Sequence, residues 1–354
     1  MSDNFFSRRG FLRGASAMAL LSGFSGCRMF GCAGGLKPTR GVVLGCPDLS
    51  GDFDWPRLAQ EAGLTTIGTH FGPGDVMPFL KSAKGRRFLD SCGERGIEVE
   101  HELHALQYLL PRERFGAEKE LFRMNGKGER VCDGNCCVTN PRALEIISAR
   151  AVEVARVCRS TTGRYYYWLA DGKPVCQCPK CREFSAADQS VIVENAIVKA
   201  LRAEIDPAAT LSHLAYYHTL MPPTKVKPHE ALFLEFAPIK RWELTKRRDP
   251  LVEGGKDLRE LDALLKVFPV ETAQILEYWL DESLFSGWKR PYVKMPWNGP
   301  LTREEVKAYA KRGIRHFTTF GVYLGDEYIR SHGPDFVGPV KEYAKILAEE
   351  TQNI

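Results

Sequence analysis

This sequence has few long apolar runs, no internal repeat and no strong excess of either positive or negative charge. No segment outside the amino terminus is long or apolar enough to cross a membrane. The net charge is only +5, Lys246-Arg247-Arg248 is the main basic run beyond the amino terminus, and no zinc-finger or recognition-helix pattern is present. These absences argue against a membrane-spanning protein and against a nucleic-acid partner.

The composition is that of an ordinary globular protein. Hydrophobic residues make up 44% and charged residues 26% of the 354 positions, so a large core is available. This length could hold two domains, but barrels of alternating strands and helices often exceed about 200 residues as one unit. We therefore predict a single domain over residues 41–354.

The amino terminus carries an export pattern. Ser7-Arg8-Arg9-Gly10-Phe11-Leu12 matches the twin-arginine signal, and the apolar run from Ala15 to Phe24 is too short to span a bilayer. The pattern predicts a signal peptide over residues 1–33, a linker over residues 34–40, and the twin-arginine translocase as a partner during export. The expected location is periplasmic, envelope-anchored or extracellular.

Two ways of processing this signal remain open. Phe24-Ser25-Gly26-Cys27 resembles a lipobox, in which the cysteine is lipidated, although phenylalanine stands where leucine is usual. Cys27 could therefore carry a lipid anchor, or the signal could be cleaved near Ala33.

Segments rich in apolar and β-branched residues alternate with helical patterns along the rest of the chain, which favours a parallel β/α architecture. Eight strand candidates predict a (β/α)8 barrel, with a doubly wound sheet as the alternative. A long loop, Gln107–Thr139, follows strand three, and only the proline-rich Leu220–Glu230 segment separates strands five and six, where a parallel crossover normally needs a helix. The candidate strands are 41–45, 64–70, 97–106, 165–168, 210–216, 231–236, 272–278 and 314–320, and the candidate helices are 54–63, 76–95, 142–159, 185–204, 255–268, 302–312 and 336–350.

Strand four leads into the most informative stretch of the chain. The four aromatics Tyr165–Trp168 are typical of a strand buried on both faces, and Asp171-Gly172 then turns the chain. A carboxylate thus follows a strand end, which is where a barrel collects its catalytic groups.

Further carboxylates lie at later strand ends. Glu235 and Glu277 stand inside apolar strands, where burial without a partner is costly, and Asp281 and Asp326 follow strands seven and eight. Glycosidic cleavage uses two opposed carboxyl groups, one as proton donor and one as base or nucleophile. We predict Asp171, Glu235 and Glu277 as the catalytic residues; an ion-paired or solvated acid is the alternative for each.

Aromatic and histidine side chains accompany these acids. Sugar faces stack on aromatic rings, although most such rings in a protein of this size belong to the core. His101-Glu102-Leu103-His104 is not the H-E-x-x-H metal signature, and on a strand its two histidines point to opposite faces. The residues predicted to bind substrate are His70, His101, Trp168, Tyr216, His218, Trp279 and Trp297.

Eleven cysteines are many for a reduced enzyme. Cys132, Cys136 and Cys137 lie in the loop after strand three, and Cys176, Cys178 and Cys181 lie in the loop after strand four, so a barrel would make the two groups neighbours. They could form disulfides, remain free thiols, or bind a structural zinc ion, because the twin-arginine route exports proteins already folded in a reducing compartment. The predicted metal or disulfide residues are Cys136, Cys137, Cys176, Cys178 and Cys181, and no cofactor is required for the predicted chemistry.

The stretch from Leu121 to Ile239 resembles domain of unknown function 4838, a family of exported bacterial proteins. The resemblance lies in LFRMNGKGER, CCVTNP, WLADGKPVCQCPKC, LAYYHTLMPP and LFLEFAPI. That family distantly resembles α-glucuronidase-type (β/α)8 glycosidases. The resemblance implies a proton-donating role for Asp171 and a base among Glu235 and Glu277, although those enzymes use glutamate at the strand-four position and lack the cysteine cluster.

These features together predict an exported, glycoside hydrolase-like barrel acting on a carbohydrate, which can include a uronic acid. The alternative is a non-catalytic carbohydrate-binding or cell-envelope protein with cysteine-clamped loops. A zinc-dependent hydrolase is a third possibility, and it would need an open metal coordination position.

Overall fold

The computed structural model describes residues 37–243 and 250–352. The predicted signal peptide with its Cys27 lipobox, the first part of the linker, and the Lys246-Arg247-Arg248 run lie outside these residues. In the described part of the chain, no helix has the length and apolar character needed to cross a membrane.

Eight parallel strands pair in chain order and close on themselves, which confirms the predicted (β/α)8 barrel. Closure joins the first strand to the last, with Gly41 opposite Thr318 and Val43 opposite Phe320. The strands are β1 (Arg40–Gly45), β2 (Thr66–Phe71), β3 (Glu98–Leu103), β4 (Arg164–Tyr167), β5 (Thr210–Ala215), β6 (Leu232–Phe236), β7 (Gln274–Glu277) and β8 (His316–Phe320).

Helices between the strands cover the outside of the barrel, and the predicted helix over residues 76–95 is two helices rather than one. Ser82 breaks it, because its side chain caps the second helix by accepting the Gly85 N–H at 3.1 Å. The chain turns so tightly here that a Cβ at Gly85 would lie 2.0 Å from the carbonyl oxygen of Phe79. The helices are α1 (Cys46–Leu49), α2 (Trp55–Ala62), α3 (Pro73–Lys81), α4 (Ala83–Arg95), α5 (Leu106–Leu109), α6 (Pro141–Val157), α7 (Ala186–Glu204), α8 (Lys240–Glu243), α9 (Lys256–Leu264), α10 (Glu282–Phe285), α11 (Gly299–Ala310), α12 (Asp326–His332) and α13 (Val337–Glu350).

The connection from β5 to β6 lacks a helix, as predicted, and it is held by a side chain instead. Oδ1 of Asp188, in the first turn of α7, accepts the backbone N–H groups of Thr224, Lys225 and Val226 at 2.8 to 2.9 Å. These bonds satisfy backbone donors that a crossover helix would otherwise pair internally.

The barrel interior contains several polar side chains, whereas the interior of this fold is normally filled by branched apolar residues. Three glutamates, Glu100, Glu102 and Glu235, are fully buried there. Glu100 accepts a hydrogen bond from the Tyr166 hydroxyl at 2.7 Å, and Glu235 accepts one from the Gln274 amide at 3.2 Å. Within residues 37–243 and 250–352, neither carboxyl oxygen of Glu102 has a hydrogen-bond partner.

Burial favours the protonated form of two of these carboxyl groups, Glu102 and Glu235. Burial raises the pKa of Glu102 well above its ordinary value, and the nearby Glu235 and Glu100 raise it further. Burial likewise raises the pKa of Glu235, to about 8. A carboxyl whose pKa is higher in the folded than in the unfolded state stabilises the fold at low pH, and that stability is lost as the pH rises through the folded-state value.

We therefore expect the free energy of unfolding to fall as the pH rises from about 7 to about 8.5, where histidines of the unfolded chain are already neutral, and Glu102→Gln to reduce this fall. Urea unfolding at several pH values measures this. Glu98→Gln, at the exposed start of the same strand, is the matched control and should keep the wild-type pH dependence. Parallel curves for wild type and Glu102→Gln would contradict the assignment.

Candidate active site

A cavity of about 590 Å³ opens at the carboxyl ends of the strands, which is the face where a barrel carries its site. Residues at or just after the ends of β2 through β8 line it, and we refer to it as the rim cavity. Among the described residues no lysine or arginine lines it, whereas three aspartates do: Asp75, Asp171 and Asp281.

Asp171 is an exposed carboxylate of the rim cavity. It follows β4 at the turn made by Gly172, and 62% of its side chain is exposed. The Tyr216 hydroxyl, after β5, donates a hydrogen bond to Asp171 Oδ1 at 3.0 Å, and Nε2 of His104 lies 3.9 Å from the same oxygen. Asp171 is thus held by a hydrogen bond from the neighbouring strand end while remaining open to a ligand.

Two neutral histidines flank this carboxylate. Nδ1 of His70 bonds the carbonyl oxygen of Glu102 at 2.8 Å, and Nδ1 of His104 bonds that of Leu169 at 2.9 Å. A carbonyl only accepts, so Nδ1 carries the proton in both rings and Nε2 is left as an acceptor. Burial lowers the pKa of His70 to about 3 and lowers the pKa of His104, so Nε2 of both rings can accept hydrogen bonds near neutral pH.

Asp281 supplies a second carboxyl group from another wall. It precedes α10 and caps it, with Oδ1 accepting the Ser283 hydroxyl at 2.6 Å and the Ser283 N–H at 3.1 Å. Burial raises its pKa to about 6. Burial also raises the pKa of Tyr278, and the charges of Tyr216, Asp281 and Asp171 raise it further, so both aspartates act on the same phenol.

The remaining wall is largely aromatic, and part of it is strained. Trp168 packs against both histidines, with ring centroids 5.7 Å from His70 and 5.0 Å from His104. In the described residues, all four non-glycine residues with a left-handed backbone are aromatics of this cavity. They are Phe71 (φ 112°), Tyr217 (φ 46°), Trp288 (φ 56°) and Tyr323 (φ 75°). Such conformations cost about 1–3 kcal/mol each and collect at functional sites.

Several residues selected from the sequence do meet here. His70, Trp168, Asp171 and Tyr216 line the rim cavity, and His218 lines a small adjoining pocket of about 30 Å³ that also includes Asp171. Their binding and catalytic roles stay predictions.

Three predicted ligand-binding residues lie elsewhere. His101 is buried against Thr69, with Nδ1 2.8 Å from its hydroxyl, because it occupies the strand face opposite to Glu100, Glu102 and His104. The Trp279 indole is buried and donates to Glu305 at 2.6 Å, and the Trp297 indole donates to Glu342 at 2.7 Å.

Two of the three predicted catalytic acids also lie off the cavity wall. Glu277 points outward from β7 and is fully buried in an ion pair with Arg241, with a further hydrogen bond from the Tyr309 hydroxyl at 2.7 Å. Glu235 lies inside the barrel, where the Trp168 indole donates to it at 2.8 Å. Hydrogen bonds to Glu235 and the ion pair of Glu277 offset the cost of burying these groups. The predicted catalytic roles of both residues therefore gain no support from their positions.

Three residues of the rim cavity were not selected from the sequence, and strand alternation could have identified two of them. His104, Tyr278 and Asp281 line the rim cavity although they were not selected. Alternation along a strand puts His104 on the same face as Glu102, and Tyr278 on the face opposite to Glu277. Fixing the inward face of each strand first would have chosen His104 over His101 and Tyr278 over Trp279.

The loops after β3 and β4 bring their cysteines together beside the rim cavity, but the cluster contains four of the five predicted cysteines. The sulfur atoms of Cys137, Cys176, Cys178 and Cys181 all lie within 4.8 Å of one another, and this group could hold a metal ion. Cys136 is buried next to it without joining it. None of the nine cysteines in the described residues forms a disulfide.

Comparison with known proteins supports the fold. A family model described as domain of unknown function (DUF4838) matches residues 79–267. Comparison with curated proteins finds no match.

Comparison with solved structures finds glycosidases among the matches. A glycoside hydrolase family 5 enzyme from Prevotella bryantii, in complex with a xyloglucan tetradecasaccharide, aligns over 86% of this chain and 95% of its own, at 11% identity and a TM-score of 0.50. A β-galactosidase from Marinomonas ef1 aligns over 88% of this chain and 59% of its own, at 10% identity and a TM-score of 0.49. At 11% identity, the likeness to the Prevotella bryantii enzyme shows a shared barrel fold and nothing more.

The strained aromatic wall gives a stability prediction. Trp288 is 57% exposed, so its ring adds little to the core, whereas its backbone lies where only glycine is unstrained. We expect Trp288→Gly to be more stable than Trp288→Ala by about 1 kcal/mol in urea unfolding. Trp297, which has no left-handed backbone, is the control: there alanine should be the more stable replacement by about 0.4–1 kcal/mol. The same order at both positions would contradict strain at Trp288.

Proposed function

Because the chain belongs to the domain of unknown function 4838 family, whose description states no activity, we propose its function from the rim cavity: an exported glycoside hydrolase-like protein that acts on a carbohydrate. The observation that carries the proposal is an accessible carboxylate, Asp171, hydrogen-bonded by Tyr216 and surrounded by aromatic rings and neutral histidines. Rings bind the apolar faces of a sugar, and the histidines bind its hydroxyls. Export rests on the twin-arginine pattern at Ser7–Leu12.

The lining favours a neutral sugar. Three aspartates and, among the described residues, no lysine or arginine line the rim cavity, so the carboxylate of a uronic acid would meet charge of its own sign. Two cations lie beside the cavity: Lys173, in the adjoining pocket, and Lys240, whose Nζ lies 5.8 Å from the Tyr217 ring centroid. A uronic acid would have to enter along that edge.

Of the three aspartates that line the rim cavity, we assign cleavage to Asp171 and Asp281. They follow β4 and β7, which are separated by two strands in the barrel and therefore present their groups from different walls. The buried Asp281, with its pKa raised to about 6, is suited to donate the proton to the leaving oxygen. Asp171, exposed and accepting the Tyr216 hydroxyl, is suited to act as base or nucleophile. This reverses the role given to Asp171 by resemblance and replaces Glu277 with Asp281.

A non-catalytic carbohydrate-binding protein is the competing function. It is favoured by the burial of Glu235 and Glu277 in structural hydrogen bonds and ion pairs, which leaves fewer free acids than the sequence suggests. In that case glycans would bind but no glycosidic bond would break.

Asp171→Asn tests the catalytic proposal. We expect a 10²- to 10⁴-fold loss of kcat on the glycan or aryl glycoside that a substrate screen identifies, with glycan binding retained, because the change removes only the charge and the proton acceptor. Asp90→Asn, on the exposed face of α4, is the matched control and should leave kcat unchanged. Binding with no turnover by the wild-type protein would establish the non-catalytic alternative.

The proton-donor role of Asp281 predicts a pH profile. Only its protonated form can donate, so kcat/KM should decline as the pH rises through about 6. Asp281→Asn should lose most activity on glycosides with poor leaving groups and far less on dinitrophenyl glycosides, whose leaving group needs no proton. Equal losses on both substrate types would remove Asp281 from that role.

A further inference from the structure

We infer that Cys137, Cys176, Cys178 and Cys181 bind one zinc ion, which fastens the loop after β3 to the loop after β4. The four side chains come from two loops and are fully or almost fully buried. This site is separate from the proposed glycosidase chemistry and does not depend on it.

The spacing of the sulfur atoms matches a zinc tetrathiolate. Zinc–sulfur bonds of about 2.3 Å in a tetrahedron place the sulfurs about 3.8 Å apart. Cys137 Sγ lies 3.7 Å from both Cys178 Sγ and Cys181 Sγ, and the four sulfurs stay within 4.8 Å of one another. Disulfide bonding joins sulfurs in pairs at about 2.05 Å, and it does not account for one thiol equally distant from two others.

The chain supplies the ligands in a manner typical of structural zinc sites. Cys178 and Cys181 form a C-x-x-C pair at a short helical turn, Cys181–Glu183, and Cys176 precedes them by two residues. Cys137 completes the set from the other loop. Four protein ligands leave no open coordination position, so the site is structural rather than hydrolytic.

The surroundings suit thiolates rather than thiols. Four thiolates around a divalent ion carry a net charge of −2, which nearby donors must offset. The Met124 N–H lies 3.2 Å from Cys176 Sγ, the Arg130 guanidinium lies 3.8 Å from the same atom, and the Thr139 hydroxyl lies 3.3 Å from Cys181 Sγ. These donors come from the loop that also provides Cys137.

The zinc ion would hold in place a segment that has no regular secondary structure. Between Trp168 and Cys181 the chain forms neither helix nor strand, yet this segment carries Asp171. Asn135, two residues before Cys137, accepts the Ala170 N–H and donates to the carbonyl oxygens of Lys173 and Pro174, each at 3.0 Å. A zinc ion bound by the four cysteines, which we call the tetrad, would fix the loop after β3 next to Asn135 and the loop after β4 beyond Pro174.

Metal analysis of the full chain, purified without chelators or added metal, tests the inference. We expect about one zinc per chain and four thiols that react with a thiol reagent only after a chelator is added. Replacement of the zinc by cobalt should give the visible absorption of a tetrahedral cobalt thiolate. Absence of metal, iron in place of zinc, or a disulfide within the tetrad would overturn the inference.

Cys137 and Cys136 form a matched pair for mutation, since they are adjacent and both buried, but only Cys137 belongs to the tetrad. Cys137→Ser should lose zinc at a chelator concentration that leaves the wild-type protein loaded, and Cys136→Ser should keep about one zinc per chain. Equal zinc loss from both variants would overturn the assignment. If Cys137→Ser fails to fold, the zinc content, thiol count and cobalt spectrum of the wild-type protein decide the question.

Discussion

Closure of the barrel between β1 and β8 is the constraint on which the site depends. At this seam Gly41 lies opposite Thr318, and a Cβ at Gly41 would come 2.8 Å from the Thr318 methyl carbon, so the close pairing needs a glycine there. Once the eight parallel strands close, their carboxyl ends all face one rim. Asp171 and Asp281, 110 positions apart in the sequence numbering, then share a single cavity.

The polar interior extends from this cavity into the barrel. The Trp168 ring lies in the cavity wall, while its indole N–H donates to Glu235 at 2.8 Å, and Glu235 accepts the Gln274 amide, which also donates to Thr318 at 3.1 Å. The orientation of this cavity-facing ring is thus fixed by a fully buried carboxyl group. A neutral Glu235 can still accept both bonds, so its protonation does not by itself release Trp168.

The sequence allowed the fold to be predicted because apolar strand segments and capped helices recur in order, and it located Asp171 because a turn follows a buried strand. It did not give the direction of each side chain, since a shift of one residue exchanges the inward and outward faces. His101 was therefore chosen over His104, and Trp279 over Tyr278. Partners distant in sequence were also beyond reach: Glu277 pairs with Arg241 across 36 positions, and nothing local distinguishes that acid from a catalytic one.

The beginning of α7 connects these features, since its first turn anchors both loops that form the Asp171 and Tyr216 contact. Asp188 accepts three backbone N–H groups of the loop after β5, which follows Tyr216. The next residue, Gln189, donates to the carbonyl oxygens of Cys176 and Cys181 at 3.0 Å and accepts the Cys176 N–H at 3.1 Å in the loop after β4. Because one rigid helix holds both loops, the 3.0 Å hydrogen bond between Tyr216 and Asp171 does not rely on either loop being ordered by itself. A carboxylate positioned in this way can be both exposed and fixed, which is the combination that a reacting group requires.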